Sequence, residues 1–268
     1  MKTKTLILIF TGILILILFI TMGCGPKPPQ LVLGAEDQYA LAKREFNDKH
    51  WDKAVLELQK LILNYPGVSF IDSAQFLLGM TYFNQKEYPL AIGEFNRLVS
   101  SFSTSSLTDD AAFKLAECDF ELSPRAELDQ SHTQEALDAL NNFLEDYPGS
   151  DKREQALNLV NKCKSKLAKK IYRNGYLYFK MRHYAPAALY FQQVLDDYPD
   201  TEWSKPARFY LAETRYKDNK YEQAKTEYQN YLENYPHDEL TQKITKRLEK
   251  IVRILASGGG EKKDTDKR

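Results

Sequence analysis

Residues 51–66, WDKAVLELQKLILNYP, contain the pattern that decides the fold of this chain. Apolar residues recur there at the spacing of one helical face, Ala54 lies near the start, and a Tyr-Pro pair ends the segment. The interval of twelve residues from this alanine to the proline returns in three other places, which are Ala136 to Pro148, Ala187 to Pro199 and Ala224 to Pro236. A fixed register of this kind is typical of a repeat solenoid.

The repeating unit follows when the alanine is counted as position 20 of about 34 residues. Ala91 is a fifth such alanine, although Ser103 stands where its proline is expected. The five units then begin at Ala35, Asp72, Asp109, Ala168 and Lys205. Positions 5 and 12 are aromatic in every unit and share one side of the first helix, being two turns apart: Tyr39, Phe46, Phe76, Phe83, Phe113, Phe120, Tyr172, Phe179, Phe209 and Tyr216.

Small and bulky residues alternate in the same frame. Position 8 is always Ala or Gly, as is expected where the two helices of a pair approach closely, and position 24 is Leu, Phe or Tyr. β-branched runs are few, and the periodicity is helical throughout. The sequence therefore predicts an all-α solenoid of five helix-turn-helix repeats.

Two longer intervals divide the predicted repeats. The third unit carries an insertion of eight residues, so that its helices are separated by Ser123–His132. Residues 152–181 are expected to form one long helix that joins repeats 1–3 to repeats 4–5. Repeats 1–3 lie within residues 35–150. The long helix and repeats 4–5 together make up residues 151–238. Residues 239–256 are expected to contain a capping helix, followed by a disordered tail at 257–268.

The N-terminus is typical of a bacterial lipoprotein precursor. Lys2 and Lys4 precede an apolar run, and Gly23-Cys24 follows it in the arrangement of a lipobox. We expect residues 1–23 to be a signal peptide, Cys24 to be lipidated and residues 24–34 to form a proline-rich tether. The alternative is an uncleaved membrane anchor, for which the apolar run is close to the minimum length.

Composition and residue placement do not favour an enzyme or a nucleic-acid binder. The chain has 37 Lys+Arg and 37 Asp+Glu, without the basic excess that nucleic-acid binding requires. His132 near Asp129 is the single acid–histidine neighbourhood, and it lies on the inserted loop. Cys118 and Cys163 fall in helical patterns. We expect them to be buried free thiols, and the alternative is a disulfide between them. We expect no catalytic residues, metal or cofactor.

The repeats resemble the tetratricopeptide family over about residues 35–238. Together with the lipobox, they resemble the BamD family of outer-membrane lipoproteins in the stretch 51–66, in residues 172–201 and in the loop 123–133. The resemblance implies an outer-membrane location, also favoured by Gly25, where lipoproteins of the inner membrane commonly have Asp. It further implies a scaffold of β-barrel assembly that binds unfolded outer-membrane proteins through its front repeats and the periplasmic domains of BamA through its back repeats.

In the tetratricopeptide family, positions 5 and 12 line the inner surface of the solenoid. We therefore predict a peptide-binding groove from the front-half set, namely Tyr39, Phe46, Phe76, Phe83, Phe113 and Phe120, although core packing of the same rings remains open. The back-half set predicted for partner docking is Tyr172, Tyr176, Phe179 and Tyr216. Alternative functions are a pilotin-like escort of a secretin, another adaptor of secretion or envelope assembly, and a cell-division coordinator.

Overall fold

A computed structural model of the chain describes residues 33–258. The predicted signal peptide, Cys24, most of the tether and residues 259–268 of the tail lie outside the described residues. Within residues 33–258 the regular structure is helical throughout, which confirms the predicted all-α class. The elements are α1 (Ala35–Asn47), α2 (Trp51–Asn64), α3 (Ile71–Asn84), α4 (Tyr88–Ser101), α5 (Thr108–Leu122), α6 (Ser131–Asp146), α7 (Arg153–Lys180), α8 (Tyr184–Asp197), α9 (Ser204–Lys217), α10 (Tyr221–Asn234) and α11 (Thr241–Ala256).

Each helix packs mainly against the helices before and after it in the chain. Contacts between elements farther apart in sequence are few and join only next-but-one helices, such as α5 with α7 and α7 with α9. This nearest-neighbour arrangement is what defines a solenoid, since each hairpin buries its apolar face against the adjoining one.

The turn inside four of the five hairpins uses the left-handed region of the backbone. Lys49, Lys86, Arg182 and Asn219 all occupy position 15 of their units and have φ between 60° and 64°. The third unit has Ser123 at this position with φ of −68°, and there the inserted loop begins. A tight turn and an insertion are thus alternative ways to leave the first helix of a unit.

The end of each hairpin is defined by the residue before the expected proline. Tyr65, Tyr147, Tyr198 and Tyr235 have φ between −137° and −125° and ψ between 51° and 61°, outside the helical region. A proline disfavours helical geometry in the preceding residue, which accounts for these four. Phe102 precedes a serine and has the same conformation, with φ of −128° and ψ of 46°.

The alanines of position 20 lie at the centre of the helix pairs. All five are fully buried, and position 8 on the partner helix is buried in every unit. In units two and four, glycine at position 8 faces an aromatic ring at position 24: a Cβ added to Gly79 would lie 2.6 Å from the ring of Phe95, and one added to Gly175 would lie 3.1 Å from that of Phe191. Unit five departs from this pairing, with Ala212 and Tyr228. Units one and three instead combine alanine with the smaller leucine side chain, in Ala42 with Leu58 and in Ala116 with Leu140.

The long helix α7 has 28 residues and spans about 42 Å. Its first half contributes Ala156, Val160 and Cys163 to the core of the third repeat, and Ala168 belongs to the core formed with α8 and α9. The last helix, α11, packs Ile244 and Ile251 against α10 in the core that also contains Tyr228 and Tyr231.

Cys118 and Cys163 are free, buried thiols. They belong to different core clusters, Cys118 with the second hairpin and Cys163 with the third. Burial raises the pKa of Cys118 to about 12 and that of Cys163 to about 11, so that neither is a reactive thiolate at neutral pH.

Candidate partner-docking surfaces

The aromatic residues of position 12 pack edge-on against the ring that opens the next helix. The ring centroids are 5.3 Å apart for Phe46 and Trp51 and 5.5 Å apart for Phe83 and Tyr88. The same pairing occurs in the back half, between Phe179 and Tyr184 and between Tyr216 and Tyr221. These rings are partly buried, and because the hairpin fixes one edge of each, their orientation is set before any partner binds.

The aromatic residues of position 5 lie deeper in the hairpins. Phe113 is only 2% exposed and packs against Phe143, with ring centroids 5.7 Å apart. Tyr39 stacks on Phe70 at 5.1 Å, and both Tyr39 and Phe76 are partly buried. The front-half set therefore contains five partly buried rings and one buried ring, Phe113, which belongs to the core of the third repeat and is not open to a ligand.

Lysine side chains lie over several of the predicted groove rings. Lys114 Nζ is 4.8 Å from the centroid of Phe83 and 5.9 Å from that of Phe113, and so it joins two neighbouring repeats. Its other contact is a 2.6 Å ion pair with Glu117. Similarly, Lys43 lies over Tyr39 at 5.5 Å. A surface that presents a cation beside an aromatic ring suits a ligand with a carboxylate and an aromatic side chain.

In the back half the structure brings three of the four predicted docking residues together. Tyr172, Tyr176 and Phe179 lie around Tyr210, whose centroid is 6.1 Å, 5.1 Å and 5.3 Å from theirs respectively. Burial raises the pKa of Tyr172, so that its hydroxyl is neutral, whereas the ring of Tyr176 is 36% exposed. Tyr176 is thus the member of this cluster most open to a partner.

Tyr216 belongs to a different site, between α9 and α11. The guanidinium of Arg247 lies 4.3 Å above its ring and pairs with Glu213 at 3.4 Å. Glu213 is 6% exposed and accepts a hydrogen bond from the hydroxyl of Tyr228. These contacts hold the capping helix on the last repeat and cover part of the Tyr216 ring.

The loop between α5 and α6 docks on the long helix, a contact that the sequence reasoning did not anticipate. Lys166 donates to Ser123, and Lys170 Nζ donates to the carbonyl oxygens of Glu127 at 2.8 Å and Leu128 at 3.2 Å. Arg173 forms an ion pair with Glu127. The run of lysines in residues 162–170 was the available signal, but its partners are about 40 residues away in sequence.

Metal sites, membrane spans and the surroundings of His132 can be assessed in the described residues. In this part of the chain no group of His, Cys, Asp and Glu could hold a metal ion, and no helix is long and apolar enough to cross a membrane. His132, which the sequence places near Asp129, contacts Glu135 at 2.8 Å, and both side chains are largely exposed.

Solved tetratricopeptide structures resemble the chain at low sequence identity. The TPR2AB domain of yeast Sti1, solved in a complex with pHSP90, is 13% identical with a TM-score of 0.44, over 83% of this chain and 86% of that one. PilF of Pseudomonas aeruginosa is 16% identical with a TM-score of 0.32, over 84% of this chain and 87% of that one. No curated protein matches the chain closely enough to be counted as a relative.

Two family profiles match the sequence itself. A tetratricopeptide-repeat profile matches residues 206–238, which contain the fifth repeat, and confirms the repeat type that the helix geometry shows. The profile YfiO, described as an outer membrane lipoprotein, matches residues 34–221 and thus well over half of the chain. The protein therefore belongs to the YfiO family of outer membrane lipoproteins, which is the BamD family.

Proposed function

We propose that the protein is a non-catalytic, lipid-anchored scaffold of outer-membrane β-barrel assembly, on the periplasmic face of the outer membrane. In this role it binds unfolded outer-membrane proteins and the periplasmic domains of BamA. The family membership supports the scaffold role, and the observation that carries peptide binding is the face of partly buried rings and lysines on the front repeats.

The front face has the chemistry to bind the C-terminal end of an unfolded chain. Phe83 presents a ring whose edge is held by Tyr88, and Lys114 lies 4.8 Å from the ring centroid. An aromatic side chain of the peptide would pack beside the ring, and its terminal carboxylate would pair with the Lys114 ammonium. Lys114 is partly exposed, and Glu117 is the one carboxylate with which it forms an ion pair among the described residues. The peptide carboxylate would compete with, or add to, that ion pair.

The experiment is a titration of the soluble form beginning at Gly25 with a short peptide that ends in phenylalanine. The peptide is made with a free C-terminus and with an amidated one, and each is titrated into wild type and Lys114→Gln. We expect wild type to prefer the free acid by about tenfold, which corresponds to about 1.4 kcal/mol for one charge-assisted contact. In Lys114→Gln this preference should fall to near unity.

Two controls distinguish the groove from general effects. Lys86→Gln removes one exposed lysine in the turn before Tyr88 and should leave the preference intact. The double variant Phe76→Ala/Phe83→Ala should weaken both peptides alike, because it removes apolar contact and leaves the charge. Two results would contradict the proposed groove. One is that wild type binds the acid and the amide with equal affinity, and the other is that the double variant binds the peptide as tightly as wild type.

The back repeats are proposed to dock BamA. The cluster of Tyr172, Tyr176 and Phe179 around Tyr210 supports this, since aromatic side chains provide large contact area at low entropy cost. The test is affinity purification from solubilised membranes with wild type and Tyr176→Ala, a substitution at the exposed edge of the cluster. Loss of BamA in the variant is expected, and recovery of a secretin by wild type would instead indicate a pilotin.

Lipidation at Cys24 completes the proposed function. Several acyl chains on one cysteine are sufficient for stable membrane anchoring, at about 0.8 kcal/mol for each buried CH₂. Cys24→Ser is expected to shift the protein out of the membrane fraction. Recovery of this variant in the outer membrane at the level of wild type would contradict lipid anchoring.

A further inference from the structure

Two depressions lie beside the long helix, one on each side of the docked loop. Their volumes are about 530 and 550 Å³, and Ala126 and Glu127 of the loop line both. Together their walls on α7 extend from Asn161 to Lys180, which is about 28 Å at the rise of an α-helix. We call this pair of depressions the α7 groove.

The α7 groove is strongly basic in a chain that is formally neutral. Seven cationic and two acidic side chains line it. The cationic residues are Arg125, Lys162, Lys166, Lys169, Lys170, Arg173 and Lys180, and the acidic ones are Glu127 and Glu202. This surface therefore has a local excess of positive charge, and it attracts anionic partners.

Both acidic residues of the groove already have partners. Glu127 pairs with Arg173, and Glu202 accepts a 2.5 Å hydrogen bond from Ser165, which lowers the pKa of Glu202. Lys162 and Lys169 form no ion pair within 4 Å among residues 33–258, although Lys169 is near enough to help lower the pKa of Glu127 and of Glu202. Lys169 lies 5.6 Å from the ring centroid of Trp203, so its ammonium is held at the wall of the groove.

One end of the groove is apolar. Leu177 is 58% exposed and lines the groove beside Tyr176. Met181 and Leu128, which flank this end in sequence, are also exposed. Exposed apolar side chains that line a depression beside cations, as Tyr176 and Leu177 do, indicate contact with another molecule.

We propose that the α7 groove binds an extended acidic segment of a partner protein, with an apolar side chain of that segment at Tyr176 and Leu177. A segment that reaches from one depression to the other, passing the loop, needs about eight extended residues. A linear site with positive charge along it and an apolar end fits a peptide, whose charges and side chains are spaced along a chain. A lipid headgroup would meet only one or two of the cations. This surface is separate from the front face and shares only Tyr176 with the cluster proposed to dock BamA, and its test with a synthetic peptide does not depend on BamA binding.

The test uses the full lipidated chain in a neutral detergent. The probe is a fluorescent peptide of eight residues with alternating Asp and Ser and a terminal Leu, and its control has Asn for every Asp. Binding is followed by anisotropy in wild type, in Lys162→Gln/Lys169→Gln and in a matched variant, Lys49→Gln/Lys86→Gln. The matched variant loses the same charge from the exposed turns of the first two hairpins.

Wild type is expected to bind the acidic peptide and not its neutral control, with affinity that falls as salt rises. Lys162→Gln/Lys169→Gln should lose about fivefold or more in affinity, and the matched variant less than about twofold, since each exposed charge pair contributes modestly. Leu177→Ser should weaken binding without changing its salt dependence.

Three results would overturn the inference. The first is equal binding of the acidic and neutral peptides by wild type, and the second is equal loss in the groove variant and the matched variant. The third is a lipid site: wild type binds phosphatidylglycerol in mixed micelles with dependence on Lys162 and Lys169 and does not bind the acidic peptide.

Discussion

The hydroxyl of Tyr228 donates a 2.5 Å hydrogen bond to Glu213 inside the fifth repeat. Tyr228 is fully buried, and its hydroxyl lies between this carboxylate and the Arg247 side chain. Burial beside Glu213 raises the pKa of Tyr228, so that the phenol remains a donor. The contact links α9 to α10, and through Arg247 it extends to α11.

Tyr228→Phe is the first prediction. It leaves a buried carboxylate with only Arg247 at 3.4 Å, and we expect the free energy of unfolding to fall by about 1–3 kcal/mol. The measurement is urea denaturation followed by circular dichroism. Tyr221→Phe is the matched control, because its hydroxyl bonds only to Asn219 on the surface, and it should change stability by less than about 0.5 kcal/mol. Equal losses in the two variants would show that the buried contact contributes nothing specific.

The second prediction concerns the match of side-chain size between positions 8 and 24. Gly79→Ala would place a Cβ within 2.6 Å of the buried ring of Phe95. Overpacking of this kind costs about 1–3 kcal/mol, which exceeds the gain of about 1 kcal/mol that alanine brings to a helix interior. We expect a net loss of stability in Gly79→Ala, measured by denaturant unfolding.

A double variant tests the cause of that loss. Gly79→Ala/Phe95→Leu reproduces the combination found in the first and third repeats, Ala42 with Leu58 and Ala116 with Leu140. The alanine should therefore cost less, or even stabilise, when leucine replaces Phe95. If Gly79→Ala is equally destabilising in wild type and in the Phe95→Leu variant, ring contact is not the reason for the glycine.

The repeat architecture was predictable because its determinants are local. A buried alanine, a small residue facing it and a proline that ends the second helix recur within about 34 residues, and each acts on its own hairpin. The long helix was also visible, since apolar residues recur at helical spacing from residue 157 to residue 177 with no proline between them. The structure gives it as Arg153–Lys180, within one residue of the bounds expected from the sequence.

Features that depend on contacts between distant residues could not be read in this way. The docking of Glu127 on Lys170 and Arg173 joins residues more than 40 positions apart, and no periodicity marks it. Tyr216 likewise lies apart from the cluster around Tyr210, since its ring contacts are with Tyr221 and Arg247. The front-half groove stays a prediction, since the rings serve hairpin packing as well as the surface.

The third prediction follows from the left-handed turn residues. Arg182 has φ of 63°, a conformation that costs a residue with a Cβ roughly 1–2 kcal/mol and glycine nothing. Arg182→Gly should therefore stabilise the protein, by about 0.5–1 kcal/mol after the larger unfolded-state entropy of glycine is subtracted. Asn219→Gly should gain less, because asparagine tolerates this region through local hydrogen bonds. Thermal unfolding of the two variants compares them, and a larger gain at Asn219 would contradict the argument.

The last prediction is a pH dependence at Asp238, which follows the final Tyr-Pro pair. Its carboxylate pairs with Lys205 and accepts hydrogen bonds from the backbone N–H of Leu240 at 2.9 Å and from the hydroxyl of Tyr231 at 2.8 Å. These contacts, led by that with Lys205, lower the pKa of Asp238 to about 2. Because the folded-state pKa lies below the unfolded one, the stabilisation is complete above about pH 4 and is lost as the pH falls toward 2.

Asp238→Asn isolates this contribution. At pH 7 we expect the variant to be less stable than wild type by about 1 kcal/mol, a value reduced from that of a buried charged hydrogen bond because Lys205 is half-exposed. At about pH 2 the wild-type carboxyl is about half protonated, most of the contribution is lost, and the difference should fall well below its value at pH 7. Urea unfolding of both proteins at the two pH values cancels the general effect of acid on the chain. A difference in stability that is the same at both values would show that Asp238 does not act through its charge.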